Sequence, residues 1–149
     1  MGVQTLKNQI KLSILSLSEN VGFARIAAAA FAAQVDLTLT EIDEIKVAVS
    51  EAVSNAVIHG YGENNKEANY IDLLMNLYQN KLEFIVIDYG RGIADIEEAR
   101  QPSFSTDPER MGLGFVFMES FMDELEVKSK LGQGTTVIMA KTLAPTTEH

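Results

Sequence analysis

The sequence contains no cysteine, no tryptophan and only 3 prolines among its 149 residues. Without cysteine, the chain can form neither a disulfide bond nor a cysteine-based zinc site. No apolar run approaches the roughly 20 residues of a membrane-spanning helix. The N-terminus also lacks the basic start and apolar stretch of a signal peptide. We therefore expect a cytoplasmic protein that does not contact a membrane.

Basic residues are also scarce, because 12 Lys and Arg stand against 21 Asp and Glu and leave a net charge of -9. Such a chain repels phosphate backbones, so direct binding to DNA or RNA is disfavoured. A nucleotide can still bind, since backbone dipoles and a cation outweigh net charge locally. With 46% hydrophobic residues, the length favours one folded domain over residues 1–149.

The hydrophobic pattern predicts a series of strands and helices along the chain. The predicted strands are 10–14, 71–77, 82–88, 125–129 and 135–141. The first predicted helix runs from Glu19 to about Val35, with Ser18 as its N-cap. The second begins at a capping box formed by Thr40 and Asp43 and ends near Gly60. A short helix at 96–100 and a helix from about Gly114 to Met122 follow. Residues 101–111 are predicted as a surface loop, and the tail from Thr142 is expected to fray. These elements predict an α/β fold, an α+β two-layer sandwich with helices on one face of a mixed, mainly antiparallel sheet.

Glu51 and Asn55 lie four residues apart on the second predicted helix, hence on nearly the same face. The small residues Ala48 and Ala52 beside them leave room for a ligand. The carboxylate can accept a proton from an attacking hydroxyl, and the amide oxygen can ligate Mg²⁺. Taken alone, the pair is more typical of two ordinary polar residues on a solvated helix face.

Asp88 follows the apolar run 84–87 at the end of a predicted buried strand. A carboxylate in that position needs a partner, and an adenine amino group could donate to it. Gly90 and Gly92 permit positive φ and a close approach of the backbone. The alternative is a glycine turn that Asp88 merely caps.

Gly112 and Gly114 flank Leu113 at the start of the last predicted helix. The free N–H groups and the positive dipole end of such a helix suit a phosphate. Thr135 follows a glycine-rich turn, and its hydroxyl could meet a purine edge. A simple hairpin turn explains that segment equally well.

These motifs, in this order, resemble the GHKL or Bergerat ATP-binding fold shared by DNA gyrase, mismatch-repair ATPases, heat-shock chaperones and sensor histidine kinases. Within that superfamily, segments 49–61, 98–106 and 117–123 are similar to the serine protein kinases that act as anti-sigma factors. They most resemble the anti-sigma F factors of spore-forming bacteria. The resemblance covers about residues 8–142.

The resemblance implies a role for each matching residue. Glu51 is expected to be the general base on a substrate serine. Asn55 is expected to hold Mg²⁺ against the phosphates of ATP or ADP. Asp88 is expected to bind the adenine amino group, with Gly90 and Gly92 shaping that wall of the site.

The remaining nucleotide contacts come from the same resemblance. Gly112, Leu113 and Gly114 are expected to contact the phosphates, and Thr135 to lie near the adenine. Arg110 is expected to neutralise charge on the transferred phosphoryl group.

The resemblance also implies protein partners. The chain is expected to bind and inhibit a sporulation sigma factor, sigma F, when it carries ATP. It is further expected to phosphorylate a serine of a small antagonist of the anti-sigma factor. Arg25 and Glu19 on the first predicted helix correspond to the partner-facing surface. A homodimer is expected through the first strand and the first helix.

One stretch departs from the family pattern. Residues 101–111 would form the ATP lid, but the segment between Thr106 and Gly112 looks shorter than usual. Met111 also stands where a small residue is common. A shorter lid would alter nucleotide exchange or closure.

Other functions stay open at this point. One is a nucleotide-gated sigma-binding protein without kinase activity, and another is a stress-response paralogue of the anti-sigma B type. A gyrase-like or chaperone-like ATPase is disfavoured because no transducer segment follows the domain. A sensor histidine kinase domain is disfavoured because Glu51 lies four residues before Asn55.

Overall fold

Five strands and three α-helices make up the part of the chain that the computed structural model describes, residues 5–60, 69–93 and 111–144. In chain order the elements are β1 Leu6–Leu15, α1 Glu19–Ala32, α2 Leu39–Asn55, a π-helical turn Ala56–Gly60, β2 Tyr70–Tyr78, β3 Lys81–Asp88, α3 Met111–Phe121, β4 Glu124–Lys130 and β5 Gly134–Thr142.

The strands form one sheet in the order β1-β2-β3-β5-β4. Every pairing between neighbours is antiparallel. The predicted strand pair is present, with β2 and β3 joined through Gln79 and Asn80, and β4 and β5 form the predicted closing hairpin. The α+β fold is therefore confirmed, and the described part of the sheet is wholly antiparallel rather than mixed.

One face of the sheet is buried against the helices. Because successive side chains of a strand alternate between faces, the register places Leu73, Val86 and Val137 side by side. They belong to one hydrophobic cluster with buried residues of all three helices. Within it, the ring of Phe31 in α1 meets that of Phe84 in β3 edge-on, with the centroids 6.3 Å apart. Helices on one face of the sheet are thus confirmed.

α2 lies between the other two helices, in contact with both. Its buried residues recur at helical spacing: Ile45, Ala48, Val49, Ala52 and Val53. This apolar stripe packs α2 into the core and fixes how its remaining faces point.

α2 begins at a capping box, but not at the predicted one. The Thr38 hydroxyl accepts a hydrogen bond from the Glu41 N–H at 3.0 Å, and the Glu41 carboxylate accepts one from the Thr38 N–H at 2.9 Å. The predicted pair, Thr40 and Asp43, lies two residues further on, inside the helix. Glu at the third helical position reaches back to the cap, whereas Asp is shorter. Ser18 occupies the N-cap position of α1 and the helix begins at Glu19, as predicted, but the Ser18 side chain makes no capping hydrogen bond.

α3 starts at Met111 rather than near Gly114, so both glycines of the Gly-x-Gly motif lie in its first turn. Its other end is held by Lys141, which is buried. The Lys141 ammonium group donates to the Phe121 carbonyl at 2.9 Å and to Glu44 of α2 at 3.0 Å. A cation at the C-terminus complements the helix dipole. Lys141 of β5 therefore joins the last turn of α3 to α2.

Several predictions concern residues that the structure does not describe. The short helix at 96–100 and nearly all of the loop at 101–111 lie outside the described residues, as does most of the predicted tail. β5 extends to Thr142, the residue where that tail was predicted to begin. Within the described ranges, no helix is both long and apolar enough to cross a membrane.

Replacing Thr38 by Ala is expected to lower the free energy of unfolding by about 1 kcal/mol, because the helix loses its capping acceptor. The matched control is Thr40→Ala, which removes a threonine from the same turn without removing a cap. Its effect is expected to stay within about 0.5 kcal/mol. Urea denaturation measures both, and equal losses would show that Thr38 has no special role.

Candidate functional site

Two polar side chains of α2 stand beside its buried stripe. Ala52 and Val53 are buried in the core, whereas Glu51 and Asn55 are half-buried. The latter two are four residues apart, so they lie on one side of the helix. The packing of α2 thereby sets a carboxylate next to an amide at the edge of the core.

Gly114 of α3 lies directly against this pair. A β-carbon added at Gly114 would be 3.0 Å from Glu51 Oε1 and 3.2 Å from Asn55 Nδ2. The Asn55 Nδ2 atom is buried and has no hydrogen-bond partner among the described residues, although buried polar groups are normally paired. The structure therefore brings three predicted site residues together around an amide that can take a further partner.

Asp88 ends β3 on the face of the sheet that carries the core, and it is only 5% exposed. The N–H of Gly90 donates to its Oδ1 at 3.0 Å. Burial raises the pKa of Asp88 above the usual value, although backbone hydrogen bonds from Gly90 and Thr135 oppose the rise. A buried carboxyl group with a raised pKa is typical of a functional site.

Glycines allow other segments to approach Asp88. A β-carbon at Gly60 would lie 2.9 Å from the Asp88 carboxyl carbon. Gly134, with φ +98°, approaches the Asp88 carbonyl so closely that any side chain would collide with it. Gly92 adopts the positive φ that the sequence predicted, whereas Gly90 does not. The motif Asp88–Gly92 is thus enclosed by the π-helical turn on one side and the β4–β5 turn on another.

Thr135 pairs with Asp88 in the register of β3 and β5. Its hydroxyl lies 2.8 Å from that of Ser129, which donates to the Gly134 carbonyl at 3.0 Å. Ser129 also accepts from the N–H of Ile93 at 2.7 Å. The loop after β3 is therefore bonded to the β4–β5 hairpin through Ser129, a residue that the sequence did not single out.

Arg91 bonds the same loop to the end of α2. Its N–H donates to the Gly60 carbonyl at 2.7 Å, and its Nε donates to the His59 carbonyl at 2.7 Å. The last carbonyls of a helix receive no intrahelical hydrogen bond, and Arg91 supplies donors for two of them. Its own carbonyl accepts from the Gly132 N–H at 2.8 Å. The sequence pattern indicated a role for Asp88, Gly90 and Gly92 in this motif but gave no sign of the role of Arg91.

The two parts of the site meet at the C-terminal end of α2. Gly60 follows Asn55 through the π-helical turn and contacts Asp88. A ligand across this region meets one acidic acceptor at Asp88 and a carboxylate–amide pair at α2. Among the described residues no three His, Cys, Asp or Glu side chains cluster as metal ligands. The amide oxygen of Asn55 is of the type that hard cations such as Mg²⁺ bind.

The remaining predicted residues are spread over other elements. Arg25 and Glu19 are both exposed on α1. Gly112 and Leu113 lie in the first turn of α3. Arg110 lies outside the described residues.

The sequence of the chain matches a known family over most of its length. The model of the histidine kinase-like ATPase domain covers residues 14–141. The anti-sigma F factor of Thermoanaerobacter sp. (strain X514) is 52% identical over 136 residues, which are 90% of this chain and 93% of that relative. The anti-sigma F factor of Geobacillus kaustophilus is 48% identical over 141 residues, or 93% of this chain and 95% of the relative.

Two solved structures share the fold. The RsbU and RsbW domains of a Mycobacterium tuberculosis protein superpose with a TM-score of 0.62 at 19% identity, over 95% of this chain and 35% of that one. The histidine kinase domain of an Erythrobacter litoralis blue-light activated histidine kinase superposes with a TM-score of 0.56 at 22% identity. The match covers 87% of this chain and 62% of that one. At these identities they establish the fold alone, whereas the anti-sigma F factors match along nearly the whole chain. The chain therefore belongs to the histidine kinase-like ATPase family, in the group formed by the anti-sigma F factors.

Proposed function

We propose that this chain is an anti-sigma factor that also acts as an ATP-dependent serine protein kinase. The kinase part rests on one observation, the approach of Gly114 to both Glu51 and Asn55. The anti-sigma part is supported by the names of relatives about half identical to this chain. The histidine kinase-like ATPase family implies nucleotide binding, and the cluster around α2 is the proposed place.

The adenine is bound at Asp88. Its buried carboxylate accepts a hydrogen bond from the adenine amino group, which offsets part of the cost of burying the charge. Gly90, Gly92 and Thr135 form the wall around it. Gly90 donates its N–H to Asp88, Thr135 pairs with Asp88 across the sheet, and the loop that carries Gly92 is bonded to the end of α2 through Arg91. In this proposal the adenine lies at the end of β3, on the helix side of the sheet.

The phosphates are bound at the first turn of α3. The first N–H groups of a helix have no intrahelical acceptor, so Gly112, Leu113 and Gly114 offer donors to anionic oxygens. Asn55 would hold Mg²⁺ through its amide oxygen, and its unpaired Nδ2 could donate to a phosphate oxygen. When bound, the cation supplies charge neutralisation at the phosphates.

Glu51 is the general base. It accepts the proton of the substrate serine hydroxyl as that oxygen attacks the γ-phosphorus of ATP. The bond from the γ-phosphorus to the bridging oxygen breaks, and ADP leaves with the electron pair. Arg110, beyond the described residues, is proposed to neutralise charge on the transferred group. Most of the acceleration comes from positioning and electrostatics.

The protein partners are a sigma factor of the sigma F type and an antagonist protein that carries the serine. Arg25 and Glu19 are proposed to contact a partner, since both are exposed on α1. A homodimer through β1 and α1 is proposed, because β1 is an edge strand with exposed apolar residues such as Leu6 and Ile10. These activities would take place in the cytoplasm.

Replacing Glu51 by Gln is expected to slow phosphorylation of the antagonist about 10²- to 10⁴-fold, because the amide cannot accept the proton. Sigma-factor binding with ATP should be retained. Intact-mass analysis of the antagonist after incubation with Mg²⁺ and ATP measures the first, and pull-down measures the second.

The matched control is Asp43→Asn, which removes an exposed acid of the same helix whose carboxylate lies 3.7 Å from the Lys46 ammonium group. It should phosphorylate at the wild-type rate. Phosphorylation unaffected by Glu51→Gln would show that the base is assigned wrongly. No phosphorylation by the wild type, with ATP binding intact, would favour a nucleotide-gated sigma-binding protein instead.

Replacing Gly114 by Ala tests the contact on which the kinase assignment rests. The new β-carbon would press on Glu51 and Asn55, so ATP affinity is expected to fall about tenfold. The variant is expected to stay folded, because the higher helix propensity of Ala, about 1 kcal/mol over Gly, offsets the crowding. Gly22→Ala is the control, since its β-carbon meets Arg25 at an ordinary 3.6 Å. Calorimetric titration and urea denaturation give both quantities, and equal ATP affinity in the two variants would contradict the proposed site.

Replacing Asp88 by Asn is expected to abolish measurable ATP binding, since the amide cannot offer the same ionic acceptor. Without nucleotide, the change has a pH signature. Because the folded-state pKa of Asp88 is raised, the folded protein binds more protons, and wild-type stability rises as the pH falls through the raised pKa. The variant lacks this gain.

The measurement is the free energy of unfolding of Asp88→Asn minus that of the wild type, from about pH 7 to about pH 4. This difference is expected to decrease as the pH falls, since other acids titrate equally in both proteins. A difference that does not change with pH would show that Asp88 is not the perturbed group.

A further inference from the structure

A second buried carboxylate lies on the sheet face opposite the helices. Asp72 of β2 is 7% exposed. It pairs with Ser13 and Ile87 in the register and alternates with core residues, so it points away from the helix layer. A charge buried there is costly unless it is paired. The proposed kinase mechanism makes no use of this carboxylate.

Three side chains pair with Asp72. The Ser13 hydroxyl of β1 donates to its Oδ1 at 2.5 Å, and the Tyr89 hydroxyl donates to its Oδ2 at 2.5 Å. The Lys11 ammonium group lies 3.9 Å from Oδ2. Burial acts to raise the pKa of Asp72, but the two hydrogen bonds and the charge of Lys11 together hold it below its usual value. The carboxylate therefore stays ionised and accepts from both hydroxyls.

Tyr89 connects this cluster to the proposed nucleotide site. It directly follows Asp88, and successive side chains point to opposite faces, so Asp88 faces the helices while Tyr89 reaches Asp72. The Tyr89 residue is 55% exposed, so packing alone holds it weakly. The next residue, Gly90, donates its N–H to Asp88. The Tyr89–Asp72 hydrogen bond, on the sheet face opposite the helices, thus fixes the backbone that carries Asp88 and Tyr89.

We propose that Asp72 is a positioning residue of the nucleotide site. It holds Tyr89, and through Tyr89 the backbone at Asp88. Ser13 joins the same carboxylate to the edge strand β1, so nucleotide affinity depends on a residue of β1 on the far face of the sheet. The inference rests on the proposed function, in which Asp88 binds the nucleotide base.

The main test is calorimetric titration of the full chain with ADP after Tyr89→Phe, which removes one hydroxyl from an exposed ring. Affinity is expected to fall roughly tenfold, the effect of losing a hydrogen bond to a charged group. Tyr78→Phe is the matched control, since it removes a tyrosine hydroxyl at the other end of β2. It keeps the ring that lies 5.8 Å from the Lys81 ammonium group, and it should bind ADP like the wild type. Wild-type affinity in Tyr89→Phe would overturn the proposal.

Further variants test the path through the carboxylate. Asp72→Asn should also lower ADP affinity, because an amide oxygen accepts from the Tyr89 and Ser13 hydroxyls more weakly than a carboxylate. The double variant with Tyr89→Phe should lose less than the sum of the two single losses, because both changes act on the same Tyr89–Asp72 hydrogen bond. Ser13→Ala should also weaken binding, whereas Ser13→Thr keeps a hydroxyl and should restore it. Additive losses in the double variant would overturn the proposal, since the two residues would then act independently.

Two measurements separate positioning from a general loss of structure. Urea denaturation shows that each variant is folded. Competition by inorganic pyrophosphate probes the phosphate end alone, and Tyr89→Phe should leave it unchanged. If pyrophosphate binding weakened as much as ADP binding, the role of Tyr89 would be structural and the proposal wrong.

Asp88→Asn distinguishes this inference from the function on which it rests. If Asp88→Asn leaves ADP affinity unchanged, the proposed base contact is wrong. If Asp88→Asn abolishes ADP binding but Tyr89→Phe and Asp72→Asn do not weaken it, the site stands and only the positioning role of Asp72 is wrong.

Discussion

The burial of α2 between its two neighbouring helices and the sheet is the constraint on which the rest of the structure depends. Its apolar stripe is buried in this arrangement, with Ile45, Val49 and Val53 fully out of water. That arrangement aims Glu51 and Asn55 at the first turn of α3. The same helix reaches the end of β3 through its π-helical turn. The proposed chemistry therefore depends on the packing of α2 for its geometry.

The sequence predicted the fold well because both periodicities are strong. Alternation in the strands and the stripe on α2 gave five strands, their hairpins and the helix layer. The sequence-based prediction was wrong where two neighbouring residues were nearly equivalent candidates for one role. Thr38 and Thr40 both precede an acid by three residues, and only side-chain length favours Glu41 over Asp43. Gly114 looked like a helix start, since glycine is a poor helix former, but the helix continues through it.

The candidate site was predictable to the extent that its residues lie in local motifs. The pairing of Glu51 with Asn55 follows from helical spacing, and the glycines around Asp88 from the needs of a tight turn. The contacts that join the motifs were not predictable, because they link segments far apart in the chain. Arg91 on the His59 carbonyl and Tyr89 on Asp72 are of this kind. No periodicity marks them, since only the folded register of the sheet brings the partners together.

The π-helical turn at Ala56–Gly60 has a consequence for how the chain can vary over evolution. Each N–H in such a turn bonds a carbonyl five residues back, so the turn holds one residue more than an α-helix of the same span. Deleting one residue there would rotate the following backbone by about 100°. The Gly60 carbonyl would then no longer face Arg91. Insertions and deletions in this segment are therefore expected to disturb the site more than substitutions of its half-buried residues Val57 and Ile58.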